Sequence, residues 1–413
     1  MKTKLLKLAL CALALLPLGA WAADVANSAT ATWLFGQYGK NLNVTGTDNV
    51  IDYDGLYVAL GTRTVTSVMA RLTNATKDGD DVIFPSGYYT GLFFNGTRGA
   101  GYSGAASDTG AGGRMSLRVT KPGKIYVLCR NSASGREVKV FKGTTEDAKL
   151  PDNTKTDFQM ITVSISQAEI TAGSGKVICH IVGMNGTSQA SCTIYGVKYV
   201  VSESAGQISK TVTIPSCGYV TFSGPHTYTI AAHTKSTTPA VYYASSENGS
   251  DVTLTATESN RIPACQGVII KGAADDVLTL KSVEDQITAS GNLLVANLAT
   301  YALPATTTIN TGSDETNYNY ILLPDGTSNA VFKHTTGSGD LAANKAFLRT
   351  TTNVSATSRG IELSIGGGGA TGISVVEGQK TIIDNVYYNL NGQRVAHPTK
   401  GLYIVNGKKV ILK

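Results

Sequence analysis

The sequence predicts an all-β protein: two β-sandwich or jelly-roll domains followed by a short β-hairpin tail. Three observations lead there. The chain has 413 residues, and at about 100 to 200 residues per domain it has room for two or three cores. Charged residues make up only 15%, against roughly 25% in ordinary soluble proteins, so Ser, Thr, Asn and Gly must cover the surface. That excludes a coiled coil, a long helical array and a charge-rich disordered chain. The 45 glycines and 11 prolines punctuate short runs rich in Thr, Val and Ile, the pattern of many strands joined by turns.

The N-terminus carries an address. Lys2, Lys4 and Lys7 precede an apolar run from Leu8 to Leu18 that leads into Ala20-Trp21-Ala22, the three regions of an export signal peptide. Residues 1–22 are therefore expected to be removed, and the mature chain to be secreted or held at the outer cell surface. The run is too short to span a membrane, and no later segment offers the roughly 18 apolar residues that spanning requires. Leu10 stands where a lipidation signal at Cys11 needs a small residue, so lipidation is rejected. Loss of three lysines and no acids lowers the formal charge from +6 to +3, which gives no warrant for nucleic acid as a partner.

The first domain, 23–203, reads as nine strands: 31–35, 65–70, 88–94, 115–119, 124–130, 137–141, 159–165, 176–182 and 192–201. Almost nothing in it reads as helix. Lys121-Pro122-Gly123-Lys124 between two of these runs is hairpin chemistry, and the spacing is that of a sandwich or jelly roll. The polar stretch Ser202 to Gly206 marks a break.

The second domain, 207–365, holds further strand runs. Three segments stand out: Gly218-Tyr219-Val220-Thr221-Phe222, the run from Ile262 through Gly267-Val268-Ile269-Ile270-Lys271 to Gly272, and Ala342 to Leu348. They resemble a β-sandwich segment common in secreted proteins of the Bacteroidales, a resemblance that implies a fold and no activity. Gly366 to Gly369 signals a flexible linker over 366–372. The tail, 373–413, contains Tyr388-Asn389-Leu390-Asn391-Gly392-Gln393-Arg394-Val395, a strand pattern around an Asn-Gly turn, and Lys400 to Lys413 repeats the pattern. Its Gly401-Leu402-Tyr403 and Asn406-Gly407-Lys408-Lys409-Val410 pieces resemble the C-terminal sorting domains that Bacteroidetes proteins use for type IX secretion. The Pro-Asn-Pro element that often opens that family is missing. The resemblance implies a partner in the outer-membrane secretion machinery.

Five cysteines follow the signal peptide. Cys129, Cys179, Cys192 and Cys217 lie in or at the ends of strand runs, and Cys265 does not. Two readings stand: buried thiols acting as small hydrophobes, or a Cys179–Cys192 bridge across neighbouring strands. No Cys-x-x-Cys pair is present, which excludes a zinc ribbon and a thioredoxin-type site.

Most catalytic chemistry loses its support. Gly99-Ala100-Gly101-Tyr102-Ser103-Gly104 matches the dinucleotide fingerprint, but the Gly-Ser-Asp stretch from Ala105 to Gly113 cannot open the helix that a phosphate site needs. Gly173-Ser174-Gly175-Lys176 is a turn rather than a phosphate loop. The five histidines lack metal-ligand spacing, and no Gly-x-Ser-x-Gly or His-Glu-x-x-His occurs. Paired glycosidase carboxylates drawn from distant strands stay open. Asp48, Asp52 and Asp54, and Asp78, Asp80 and Asp81, form two acidic loops, read either as solvated turns or as structural calcium sites. No other cofactor is expected.

Aromatic residues give the better lead. Trp33 and Phe35 alternate onto one face and read as core. Tyr88 and Tyr89 point to opposite faces, so one can be exposed. Tyr53, Tyr57 and Tyr102 lie in loop-like sequence near acids and amides and are the candidate sugar-stacking platform. The N-terminal domain resembles carbohydrate-binding jelly rolls. The expected function is therefore noncatalytic binding at the cell surface, with a glycan or a host or cell-surface protein as partner. The alternatives are a structural or adhesive surface protein and a polysaccharide-degrading enzyme with unrecognised carboxylates.

Overall fold

The computed structural model describes residues 27–40, 42–45, 50–60, 64–95, 113–154, 156–203, 205–325, 329–337, 339–354 and 360–365, together with tail segments 387–388, 394–395, 401–405 and 408–412. The signal-peptide segment 1–22, the fingerprint match at 99–104 and the linker 366–372 lie outside the described residues. The protein is built almost wholly of strands, as its composition predicts.

Period-two alternation builds the first sandwich. In Gln159–Ile165 the side chains of Ile161, Val163 and Ile165 are buried while Thr162 and Ser164 are exposed, so one face of the strand lies on a core and the other in water. Two seven-stranded sheets meet this way. One runs, in spatial order, Gln159–Ile165, Gly123–Asn131, Cys192–Val201, Gly87–Asn95, Thr64–Leu72 and Asn43–Thr45, with Ala31–Leu34 paired beside Cys192–Val201. The other runs Thr145–Lys149, Glu137–Lys142, Val177–Asn185, Arg114–Val119, Leu56–Ala59 and Val50–Asp52, with Ser188–Gln189 attached. All pairings within them are antiparallel. The chain crosses from one sheet to the other at most of its connections, as in a jelly-roll winding. One short helix, Gln167–Ala172, was not anticipated; Ser166 caps it reciprocally with Glu169, a capping box legible as Ser-x-x-Glu.

The second sandwich sets a three-stranded sheet, Ser209–Thr213, Val277–Val283 and Thr227–His233, beside a ten-stranded one. The run Val268–Lys271 explains its unbroken apolar sequence. Val268 and Ile270 enter one core cluster with Phe222 and Leu278, while Ile269 enters another with Leu254 and Phe332. A strand buried on both faces cannot alternate. Gly267 just before it admits no side chain, because a Cβ there would lie 2.6 Å from the Cβ of Ala346. Ile361–Ile365 enters between Asp251–Ala256 and Ala330–His334, parallel to the first and antiparallel to the second.

No sheet crosses the break near residue 204, yet the two sandwiches share buried surface. Leu298 and Ala299 belong to the same core cluster as Trp33, Phe35 and Tyr53. The amide of Thr32 donates to the Pro225 carbonyl at 2.7 Å. Asp54, only 8% exposed, accepts from Lys210 Nζ at 2.5 Å and from Asn344 Nδ2 at 2.9 Å. His226, more deeply buried still, donates from Nδ1 to the Thr30 carbonyl at 2.9 Å. Residues to Gly367 accordingly form one compact unit, and the tail forms a second. In the tail, Tyr387–Tyr388, Arg394–Val395, Gly401–Val405 and Lys408–Leu412 make one antiparallel four-stranded sheet from two hairpins.

The seam carries a pH signature. Burial lowers the pKa of His226, with Asp54 and Glu284 opposing the shift and Lys210 adding to it. The imidazole is therefore neutral in the folded protein, while the unfolded chain takes up a proton near pH 6.5. Stability is fully present above that value and falls as pH drops below it. Urea midpoints measured across this range should show the fall, and His226→Gln should flatten it. An unchanged slope would remove His226 from the account.

Candidate functional site

The sugar platform expected from the sequence does not form. Tyr53 is fully buried: its hydroxyl meets that of Tyr38, its carbonyl accepts from Trp33 Nε1 at 2.8 Å, and its ring lies edge-on to Phe35 at 5.5 Å. Burial drives its pKa well above the ordinary tyrosine value. Tyr57 is 4% exposed, within the strand Leu56–Ala59. All four residues of that strand are buried, so it shows no alternation by which to be found. Neither ring can offer a face to a ligand. Tyr102 lies outside the described residues.

The acidic loops are structural where they are described. Asp52 accepts from the Gly55 amide at 2.9 Å and closes the turn, with burial raising its pKa. Asp54 is occupied at the seam. Asp78 accepts from Lys124 Nζ and from the Tyr126 hydroxyl, each at 2.6 Å. Asp80 and Asp81 are exposed in and beside the hairpin turn. Asp48 lies outside the described residues. Among the described residues no group of three or more His, Cys, Asp or Glu could hold a metal ion.

The five cysteines after the signal peptide are free thiols, so the Cys179–Cys192 bridge does not form. Val177–Asn185 and Cys192–Val201 belong to opposite sheets, so these residues are not cross-strand neighbours. Burial pushes the Cys179 and Cys265 thiols up to about 12, which keeps them protonated and unreactive. Ser116 Oγ and His180 Nδ1 lie 2.8 Å apart, but both residues are buried, so the pair cannot meet a substrate as nucleophile and base.

What the fold assembles instead is a cleft of about 600 Å³ between the two sandwiches. The first sandwich contributes Met69, Tyr88 and the turn at Gly36; the second contributes Asn292, Asn317 and Arg349. Tyr88 is 40% exposed while Tyr89 is 9% exposed, the outcome expected for adjacent residues on opposite faces. Arg71 stacks 5.8 Å from the Tyr88 ring centroid, and the Tyr88 hydroxyl donates to the Thr311 carbonyl at 2.7 Å. The hairpin of Thr306–Asn310 and Asp314–Pro324 thus leans on the first sandwich. Lys40 pairs with Asp314, and the Asn310 amide reaches Met69 Sδ at 3.4 Å. Gly39 permits this approach, since a Cβ there would overlap the Thr307 methyl group.

Arg349 closes the inner wall. Its guanidinium donates to the carbonyls of Gly36 and Gln37, each at 2.8 Å, and to Asn319 Oδ1 at 3.1 Å. It also lies 5.0 Å from the Phe347 ring centroid. Met69, Asn317 and Arg349 went unnoticed in the sequence because they stand on three separate strands with no common motif. The one available signal was an arginine ending the apolar run Ala346-Phe347-Leu348.

Two tyrosines separate the core from the site. Tyr53→Ala should cost about 3 to 5 kcal/mol of stability, as for other buried aromatic truncations. Tyr88→Ala, at a partly exposed ring, should cost about 1 kcal/mol or less. Thermal unfolding of both variants checks this, and equal losses would place Tyr88 in the core.

No family model matches this chain and neither does any curated protein, so the reading of the cleft rests on its own geometry.

Proposed function

We propose that this is an exported, noncatalytic binding protein that takes a glycan into the cleft between its sandwiches. The exposed Tyr88 ring at the cleft carries the reading. A sugar presents an apolar C–H face that stacks on an aromatic ring, while nearby amides and hydroxyls take its hydroxyl groups. Tyr88 supplies the ring, Asn292 and Asn317 the amides, and Ser86 and Thr90 the hydroxyls. The volume falls in the usual ligand-site range of about 300 to 1,000 Å³. Export is supported by the signal-peptide pattern of residues 1–22, and surface sorting by the resemblance of the tail to type IX sorting domains.

A glycan array probed with the full chain tests the binding. Tyr88→Ala should weaken binding to the sugars retained by about 1 to 3 kcal/mol, the scale of an aromatic anchor. An array without signal would hand the protein to the adhesive reading. Release of reducing sugar from a bound polysaccharide would make it an enzyme. Deleting residues 371–413 should trap the protein in the periplasm with its main thermal transition intact, and unchanged surface display would reject the sorting role.

A further inference from the structure

The cleft is electrically one-sided. Among the described residues that line it, Arg349 is the one charged side chain and no carboxylate faces it. Among the described residues every acceptor its guanidinium meets is neutral: the Gly36 and Gln37 carbonyls, Asn319 Oδ1, and Thr307 Oγ1 at 3.5 Å. The nearby Asp314 is taken by Lys40 and by Asn310 Nδ2. Desolvation lowers the Arg349 pKa to about 10, which leaves it fully protonated at neutral pH.

A guanidinium has five N–H donors. One goes to Asn319, one to Gly36, and the Nη2 pair to Gln37 and Thr307, which leaves one on Nη1. Of these bonds the one from Nη1 to Gly36 is the exposed one, and Gly36 and Arg349 both line the cleft. A half-buried cation without a counter-charge gives up part of its hydration, and an anion entering the cleft would relieve that cost. Because Tyr88 lines the same cleft, the anion belongs on a stackable ring.

We infer that the cleft selects a carboxylate-bearing sugar, with Arg349 as the residue that recognises its carboxylate; the inference rests on the glycan reading above. A carboxylate on the rim of a sugar stacked on Tyr88 projects sideways toward the wall, where the planar guanidinium donates a charge-assisted hydrogen bond. Neutral sugars would keep the stacking and lose this bond.

Matched pairs isolate the charge. The full chain is titrated with trigalacturonate and with its methyl ester, and with sialyllactose and lactose, beside an array carrying neutral, carboxylated and sulfated glycans. In at least one pair the acid should bind about tenfold or more tightly than its neutral partner, as expected for a hydrogen bond to a charged group, and added salt should narrow the gap. Arg349→Gln should abolish the preference, and Arg349→Lys should keep part of it. If Arg349→Gln unfolds, Thr311→Asp serves in its place. Thr311 lines the same cleft with an exposed side chain, so the change leaves every bond of Arg349 and sets a repelling carboxylate beside the ligand; the preference should shrink while the melting temperature holds. Equal binding of acid and neutral partner in the wild type, with neutral glycans still bound, would make Arg349 a tie between the sandwiches and leave the glycan reading standing. A preference for sulfated glycans alone, or one that Thr311→Asp leaves unchanged, would equally overturn the inference. A chain that binds no sugar at all would sink the glycan reading itself.

Discussion

A carboxylate withdrawn from water must find a cation or donors for both oxygens, and Asp54 finds both across the seam. Lys210 holds one oxygen and Asn344 the other, and both belong to the second sandwich. Asp54 itself sits in the turn Asp52 to Gly55 with a φ of 57°, a conformation that Asp adopts more readily than most residues. The turn geometry aims the carboxylate, and the carboxylate then fixes the partner. Separating the two sandwiches would strand this charge and expose Leu298 and Ala299 with it.

Position follows from that attachment. With Asp54, His226 and Thr32 tied at one part of the seam, the hairpin of Thr306–Asn310 and Asp314–Pro324 is brought onto Tyr88, Met69 and Lys40 at another. The cleft is the space left between these contacts. Tyr88 and Arg349 both stand on strands, Tyr88 opposite Arg71 and Arg349 opposite Asn319, and turns at Gly36, Ser86 and Thr311 complete the walls. A site of that kind is arranged before a ligand arrives and spends little on ordering itself.

The sequence disclosed the strands well and the site poorly, for physical reasons. Runs such as Gln159–Ile165 alternate because one face is wet, and alternation is local information. Leu56–Ala59 was missed because both its faces are buried, and the loss carried Tyr57 from the core into an imagined loop. Tyr53 misled in the same way: its neighbours are acids and glycine, as in a surface turn, yet the turn points inward onto Phe35 and Tyr38. Tyr88 and Tyr89 could be read as one outward and one inward ring, but their order needed the register with Thr64–Leu72. Arg349 was invisible as a site residue, since its neighbours in space lie some three hundred positions away at Gly36 and Gln37.

Asp54 and Arg349 thus stand at the seam on opposite terms. Asp54 is matched to a cation and an amide, as a charge retained for architecture is expected to be. Among the described residues Arg349 is bonded to neutral oxygens alone, and the same tie to Gly36 and Gln37 could be made by a neutral amide without the cost of a desolvated charge. Local choices that disagree with stability tend to mark places where another demand is met. In this protein the disagreement falls on the wall of the cleft that Tyr88 also lines, and that coincidence makes the charge intelligible as part of a binding site rather than of the scaffold.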